Sequence, residues 1–397
     1  MKDVYIVDYC RTPFGRYGGS LSSIRPDDLA SMVLRHIREA HDFDPKLVDD
    51  CLFGAANQAG EDNRNVARMA LLLAGYPVEV PGTTLNRLCG SGLDSIGLAA
   101  RTIKSEEADI MLAGGVESMS RAPFVVAKPT TAFDRNAEMY DTTIGWRFTN
   151  KVLEKQYGSD SMPETAENVA KEYGISREAQ DEFAYHSQMK AAKATERLAK
   201  EIIPVTYNDR KRGEVIVDKD EHPRPDTTLE KLARLKPIFP GGTVTAGNAS
   251  GVNDGAAALL LASGDACQKN DLIPKVRVIA TASRGVEPRL MGIGPIAAVE
   301  ALFKRTNLTM DDFDIIELNE AFASQSLAVI NYFGLKLTDP RLNPNGGAIA
   351  LGHPLGASGA RIAGSAMLDI AGKPGSKALI TMCIGVGQGI AMAIEAV

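Results

Sequence analysis

Cys89-Gly90-Ser91-Gly92, followed by a small-residue stretch over 93–103 and the apolar run Asp109-Ile110-Met111-Leu112-Ala113, has a second copy later in the same chain. There Gly356-Ala357-Ser358-Gly359 stands for the turn, 360–370 for the helix and Ala378-Leu379-Ile380-Thr381-Met382 for the strand. Each copy follows a short strand-like segment, DCLFG at 50–54 and DIIEL at 314–318. Residues 50 and 92 lie 42 positions apart and residues 314 and 359 lie 45 apart, so order and spacing repeat together. The opening strand Val4-Tyr5-Ile6-Val7 has a matching segment in Val276-Arg277-Val278-Ile279. Such self-similarity predicts one unit used twice.

Strands separated by helices of 10 to 15 residues predict parallel pairing and an α/β architecture. The Gly, Ala and Ser crowded into the helices after Cys89 and Gly356 predict that these two pack closely, back to back, with a layer of sheet on either side. The expected division is 1–120 for the first half (completed by 241–270), 121–240 for an inserted loop domain and 271–397 for the second half. Within the insertion, Ser176 reads as an N-cap for a helical run reaching about 199.

The bulk properties narrow the function. Forty-four Lys and Arg against 50 Asp and Glu give a net charge of −6, with no basic stripe of the kind that grips nucleic acid. The longest apolar run, 256–262, is far shorter than a membrane span. Five scattered cysteines, none in a metal-binding spacing, point to free thiols in a reducing compartment. No pattern of a secretory leader opens the sequence, so a cytoplasmic location is expected.

Cys89 lies directly before a predicted helix. The helix dipole and free N–H groups there favour thiolate and can lower a thiol from about 8.5 to roughly 3.5–7.5. A buried structural cysteine is the competing reading. Of the five histidines, His36 and His41 lie in a polar helical region, His186 in the insertion's helix and His222 in a charged loop. Only His353 sits in a Gly/Pro-dense loop that the duplication brings beside Cys89, and imidazole is the usual proton carrier near neutral pH. Cys383 ends the last strand of its copy where the first copy has Ala113. Its Gly-rich surroundings leave N–H groups free to form an oxyanion hole, with Gly385 and Cys89 as donors.

These segments, NRLCGSG around Cys89, VTAGNASGVNDGAA from Val244, NEAFA from Asn319, GGAIALGHPLGASGAR from Gly346, MCIGVGQG from Met382 and RTPFGRYGGSL from Arg11, resemble the thiolases over essentially the whole chain. The resemblance implies two five-layered α/β/α/β/α core halves with a loop domain between them. It implies that Cys89 carries the acyl group as a thioester, that His353 activates Cys89 and then the CoA thiol, and that Cys383 moves the α-carbon proton of acetyl-CoA. It assigns one oxyanion hole to His353 and a water on Asn319, the other to the N–H groups of Cys89 and Gly385. It further implies CoA contacts at Arg224, Ala246 and Ser250, and an acyl pocket lined by Met162, Met291 and Phe322. CoA is expected as a substrate, with no resident cofactor and no metal, and the protein is expected to be a homodimer or homotetramer with a tetramer loop near 132–140.

GEDNRNVARMALLLAGYP from Gly60, DTTIGWRF from Asp141, SMPETAENVA from Ser161 and DEHPRPDTTLE from Asp220 resemble the thiolase subgroup that converts 3-oxoadipyl-CoA and CoA to succinyl-CoA and acetyl-CoA. That substrate ends in a carboxylate, which calls for a cation near the acyl pocket, with Arg147 and Arg121 as candidates. An acetoacetyl-CoA thiolase with a smaller pocket is the close alternative. A decarboxylating synthase fits less well, because Cys383 stands where that class resembles a Cys-His-His site. A non-catalytic acyl-CoA or lipid carrier on the same scaffold is the remote alternative, since a carrier needs none of the reactive set.

Overall fold

The computed structural model describes residues 2–397. Nine strands build the main sheet: β1 (Val4–Arg11), β2 (Asp50–Gly54), β3 (Gly82–Leu85), β4 (Ile110–Ser118), β5 (Asn253–Ser263), β6 (Val276–Gly285), β7 (Ile315–Leu318), β8 (Lys377–Ile384) and β9 (Gln388–Ala396). They run in the order β7-β8-β9-β6-β1-β5-β4-β2-β3, and the two-residue strand Gly15–Arg16 pairs with β5 as a tenth. The main helices are α1 (Pro26–Ala40), α2 (Val66–Leu73), α3 (Ser91–Lys104), α4 (Met162–Glu172), α5 (Arg177–Lys193), α6 (Gly294–Thr306), α7 (Ala323–Tyr332) and α8 (Leu355–Ile370).

Period-two burial explains the layering. Along β5, Ala257, Leu259 and Leu261 join the core around α3 and α8, while Ala258 and Leu260 join α1 and α2 on the other face. The second half does the same: Ala378, Ile380 and Met382 face inward, and Leu379 packs outward with α6 and α7. Both faces of each half are therefore covered, which is why the strands read as continuous apolar runs. The central helices touch strands of both halves and each other. Their contact is close: a Cβ on Gly92 would lie 2.5 Å from the carbonyl oxygen of Gly356, and one on Gly359 would lie 2.3 Å from the nitrogen of Leu93.

Three expectations change. The five layers form once, from the two halves together, rather than once in each. The two sheet layers are also joined into one hydrogen-bonded path, because β1 and β6, the matched opening strands, pair antiparallel at Tyr5–Arg277 and Ile6–Val276. Finally, the sheet is mixed. Among the described strand pairs of this sheet, only β2–β3, β2–β4 and β7–β8 are parallel. The antiparallel remainder arises because β9 folds straight back from β8 through Gly385-Val386-Gly387, with Val386 and Gly387 at φ of 62° and 75°, and β5 runs opposite to β4.

Between β4 and β5 the chain forms two hairpins (Phe124–Val126 with Met139–Asp141, and Val205–Asp209 with Gly213–Val217) and the helices α4 and α5. Ser176 caps α5 by accepting the N–H of Ala179, and a short helix Thr195–Ala199 follows. No helix among the described residues is long and apolar enough to cross a membrane.

Candidate active site

The turn that presents Cys89 is built by its own side chains. Asn86 Oδ1 accepts the N–H of Leu88 (2.8 Å), and its Nδ2 donates to the carbonyl of Ala56 (2.9 Å). Ser91 Oγ donates to Leu88 O (2.6 Å) and accepts the N–H of Arg87 (2.9 Å). These bonds hold Leu88 at φ 47° and bring Cys89 out just ahead of α3. The thiol does not follow the expectation from the helix N-terminus. Burial pushes it up to about 11, the N–H groups of Gly385 and of Cys89 itself pull it back only in part, and the charge of Glu117 pushes it up further. Desolvation outweighs the dipole, so Cys89 rests as a thiol and needs a base.

His353 supplies a neutral imidazole. Burial, and next the Arg361 guanidinium, hold it down at about 4. Its Nδ1 lies 2.6 Å from Ser358 Oγ, and Ser358 donates its own hydrogen to the carbonyl of Pro354 (2.9 Å). Ser358 therefore accepts from Nδ1–H, which leaves the lone pair on Nε2. Asn319 Nδ2 is 3.5 Å from that atom, and Asn319 Oδ1 is buried without a protein partner among the described residues. The backbone N–H of His353 is fixed by Asn253 Oδ1 at 2.9 Å.

Cys383 is buried in a cluster with Met162, Met291, Phe322, Ala166 and Val244. Burial first, and then the nearby Cys89, hold its thiol well above the usual range. Such a thiol stays protonated at neutral pH.

Cys89, Gly385, Met162 and Arg147 line one cavity of about 350 Å³, together with Leu88, Glu117 and Trp146. Met291 and Phe322 lie in the cluster behind Met162, outside that lining. Arg121 is not on the cavity wall, because its guanidinium forks onto both oxygens of Glu61. Arg224 and Ala246 are exposed and Ser250 half-buried, apart from the cavity. Two residues of the site were not singled out from sequence. Ser358 stands five positions after His353 in the first turn of α8, a spacing that could have pointed to it. Glu117, a buried carboxylate in a strand, carried no such signal beyond its place in an apolar run.

A duplicated layered fold that presents one Cys on a cavity wall, with a second buried Cys close enough to feel its charge and a neutral buried His on a Gly-rich loop, fits an acyltransferase that works through a thioester. The family model described as "Thiolase, N-terminal domain" matches residues 4–265, and "Thiolase, C-terminal domain" matches residues 272–396. The chain is 57% identical over 401 residues to the beta-ketoadipyl-CoA thiolase of Escherichia coli, and 58% identical over 400 residues to that of Pseudomonas aeruginosa. In both cases 100% of each chain is covered. The crystal structure of the Bacillus anthracis acetyl-CoA acetyltransferase superposes with a TM-score of 0.92 at 39% identity, over 100% of this chain and 99% of the other. The chain belongs to the thiolase family.

Proposed function

We propose that this enzyme is a 3-oxoadipyl-CoA thiolase, converting 3-oxoadipyl-CoA and CoA to succinyl-CoA and acetyl-CoA. The observation that carries the chemistry is the placing of the Cys89 thiol on the wall of a cavity, with Gly385 N–H at the sulfur. The substrate follows from full-length similarity to relatives that bear that name.

His353 Nε2 takes the proton of Cys89, and the sulfur attacks the 3-oxo carbonyl carbon. The N–H groups of Cys89 and Gly385 receive the developing oxyanion. The C2–C3 bond breaks with its electrons passing into the thioester enolate of acetyl-CoA. His353 and a water on Asn319 hold the enolate oxygen, and Cys383 gives its proton to C2. Acetyl-CoA leaves, and the succinyl group stays on Cys89. The proton held by His353 passes to the Cys383 thiolate, so a neutral His353 can deprotonate the incoming CoA thiol. CoA takes the succinyl group and the proton returns to the departing Cys89 sulfur, a ping-pong sequence. CoA enters as a substrate past Arg224, Ala246 and Ser250.

A homo-oligomer in the cytoplasm is part of the same reading. The hairpin carrying Phe124, Val126 and Met139, with Phe133 beyond it, exposes apolar side chains suited to a second copy. The reading is tested by thiolysis of 3-oxoadipyl-CoA and acetoacetyl-CoA side by side. Strong preference for 3-oxoadipyl-CoA is expected; preference for acetoacetyl-CoA would keep the mechanism and overturn the substrate.

A further inference from the structure

The cavity beside Cys89 carries two oppositely charged side chains in very different circumstances. Glu117 is buried, and its oxygens accept three backbone N–H groups, from Ala56 (3.0 Å), Asn57 (3.1 Å) and Gly356 (2.8 Å). Arg147 makes one hydrogen bond, from Nη2 to the carbonyl of Asn57 at 3.2 Å. No carboxylate lies within ion-pair distance of it among the described residues. Other arginines of the chain differ: Arg87 pairs with Asp94, Arg121 with Glu61 and Arg289 with Asp160. A partly buried guanidinium on a mainly apolar wall, with most of its donors unengaged, is a site prepared for an anion.

The position of Arg147 is built. Gly145 at φ 92° and Phe148 at φ 51° bracket Trp146 and Arg147. Trp146 Nε1 donates to Asp160 O (3.2 Å), which ties the segment down. The Asn57 carbonyl that holds Arg147 belongs to a residue fixed twice more: its N–H by Glu117, and its Nδ2 by donation to Thr142 O at 2.8 Å.

We propose that Arg147 forms a carboxylate subsite, taking the distal carboxylate of the acyl chain on its free N–H donors and so selecting acyl chains that end in an acid. This rests on the 3-oxoadipyl-CoA reading and adds to it the residue that discriminates. A neutral chain of the same length leaves the guanidinium unpaired against apolar surface, so the selection works by rejection as well as attraction.

The test is kcat/KM for 3-oxoadipyl-CoA and for 3-oxohexanoyl-CoA, a neutral chain of equal length, in wild type, Arg147→Met and Arg147→Lys. Wild type is expected to prefer 3-oxoadipyl-CoA. Arg147→Met is expected to lower the preference ratio by about 10- to 100-fold, the range of a charge-assisted hydrogen bond, mostly through KM. Arg147→Lys, which keeps the charge and loses the fork, is expected to fall between. A ratio unchanged in Arg147→Met, or equal losses on both substrates, would overturn the subsite while leaving the thiolase reading intact. A wild type that prefers 3-oxohexanoyl-CoA would overturn the subsite and the 3-oxoadipyl-CoA reading together, and would leave the thiolase chemistry standing.

Discussion

Replacing Glu117 by glutamine separates the energetics of a buried charge from those of the hydrogen bonds it receives. Burial raises the Glu117 carboxyl from the usual 4.5 to about 7; the Ala56, Gly356 and Asn57 N–H groups oppose the shift and Asp62 adds to it. A group bound more tightly to its proton in the folded state stabilises the fold below its unfolded value and loses that contribution as pH rises through the folded one. The loss runs between about pH 4.5 and 7 and amounts to about 3 kcal/mol. Glutamine removes it. The amide group fits best towards Asn57, since the other oxygen receives both Ala56 and Gly356, so one N–H is left unpaired at a cost of about 1–3 kcal/mol. The two terms nearly cancel above neutrality. In urea titrations at fixed protein concentration, Glu117→Gln is therefore expected to be less stable than wild type near pH 5 and to gain on it by about 3 kcal/mol by pH 8. Stability–pH curves that run parallel in the two proteins would refute the reasoning.

Ser358→Ala removes the acceptor that fixes the His353 tautomer. A fall in kcat of about 10- to 100-fold is expected, with little change in the KM for CoA. The acid limb of kcat/KM, set in wild type by a histidine held at about 4, should move as well; a purely structural role would leave that limb in place. Gly92→Ala gains about 1 kcal/mol of helix propensity but drives a Cβ to 2.5 Å from the backbone oxygen of Gly356. A net loss of about 1–3 kcal/mol in stability is expected from chemical denaturation, and a stabilised variant would contradict the close pairing of α3 and α8.

Much of this was legible in the sequence, for identifiable reasons. The duplication and the small residues after Cys89 and Gly356 mark two helices that must touch, and the structure places them in contact. Cys89, His353 and Cys383 stand out because reactive side chains interrupt Gly-rich turns at strand and helix ends. What stayed hidden depends on three-dimensional packing. The direction of β5 follows from a route through more than a hundred intervening residues, which no local period encodes. The Cys89 thiol goes up rather than down because enclosure removes water, and a helix start read from sequence reports only the dipole. Arg121 and Arg147 are equivalent cations on paper; the position of Glu61 tells them apart. Glu117 looks like one polar residue in a strand until the N–H groups of two separate segments converge on it.

The most direct test of the central claim is trapping of the acyl-enzyme. Mixing the enzyme with 3-oxoadipyl-CoA in the absence of CoA, followed by acid quench, digestion and mass spectrometry, should show one succinyl group as a thioester on Cys89, discharged when CoA is added. A succinyl group on Cys383, or full turnover with no adduct on Cys89, would contradict the account.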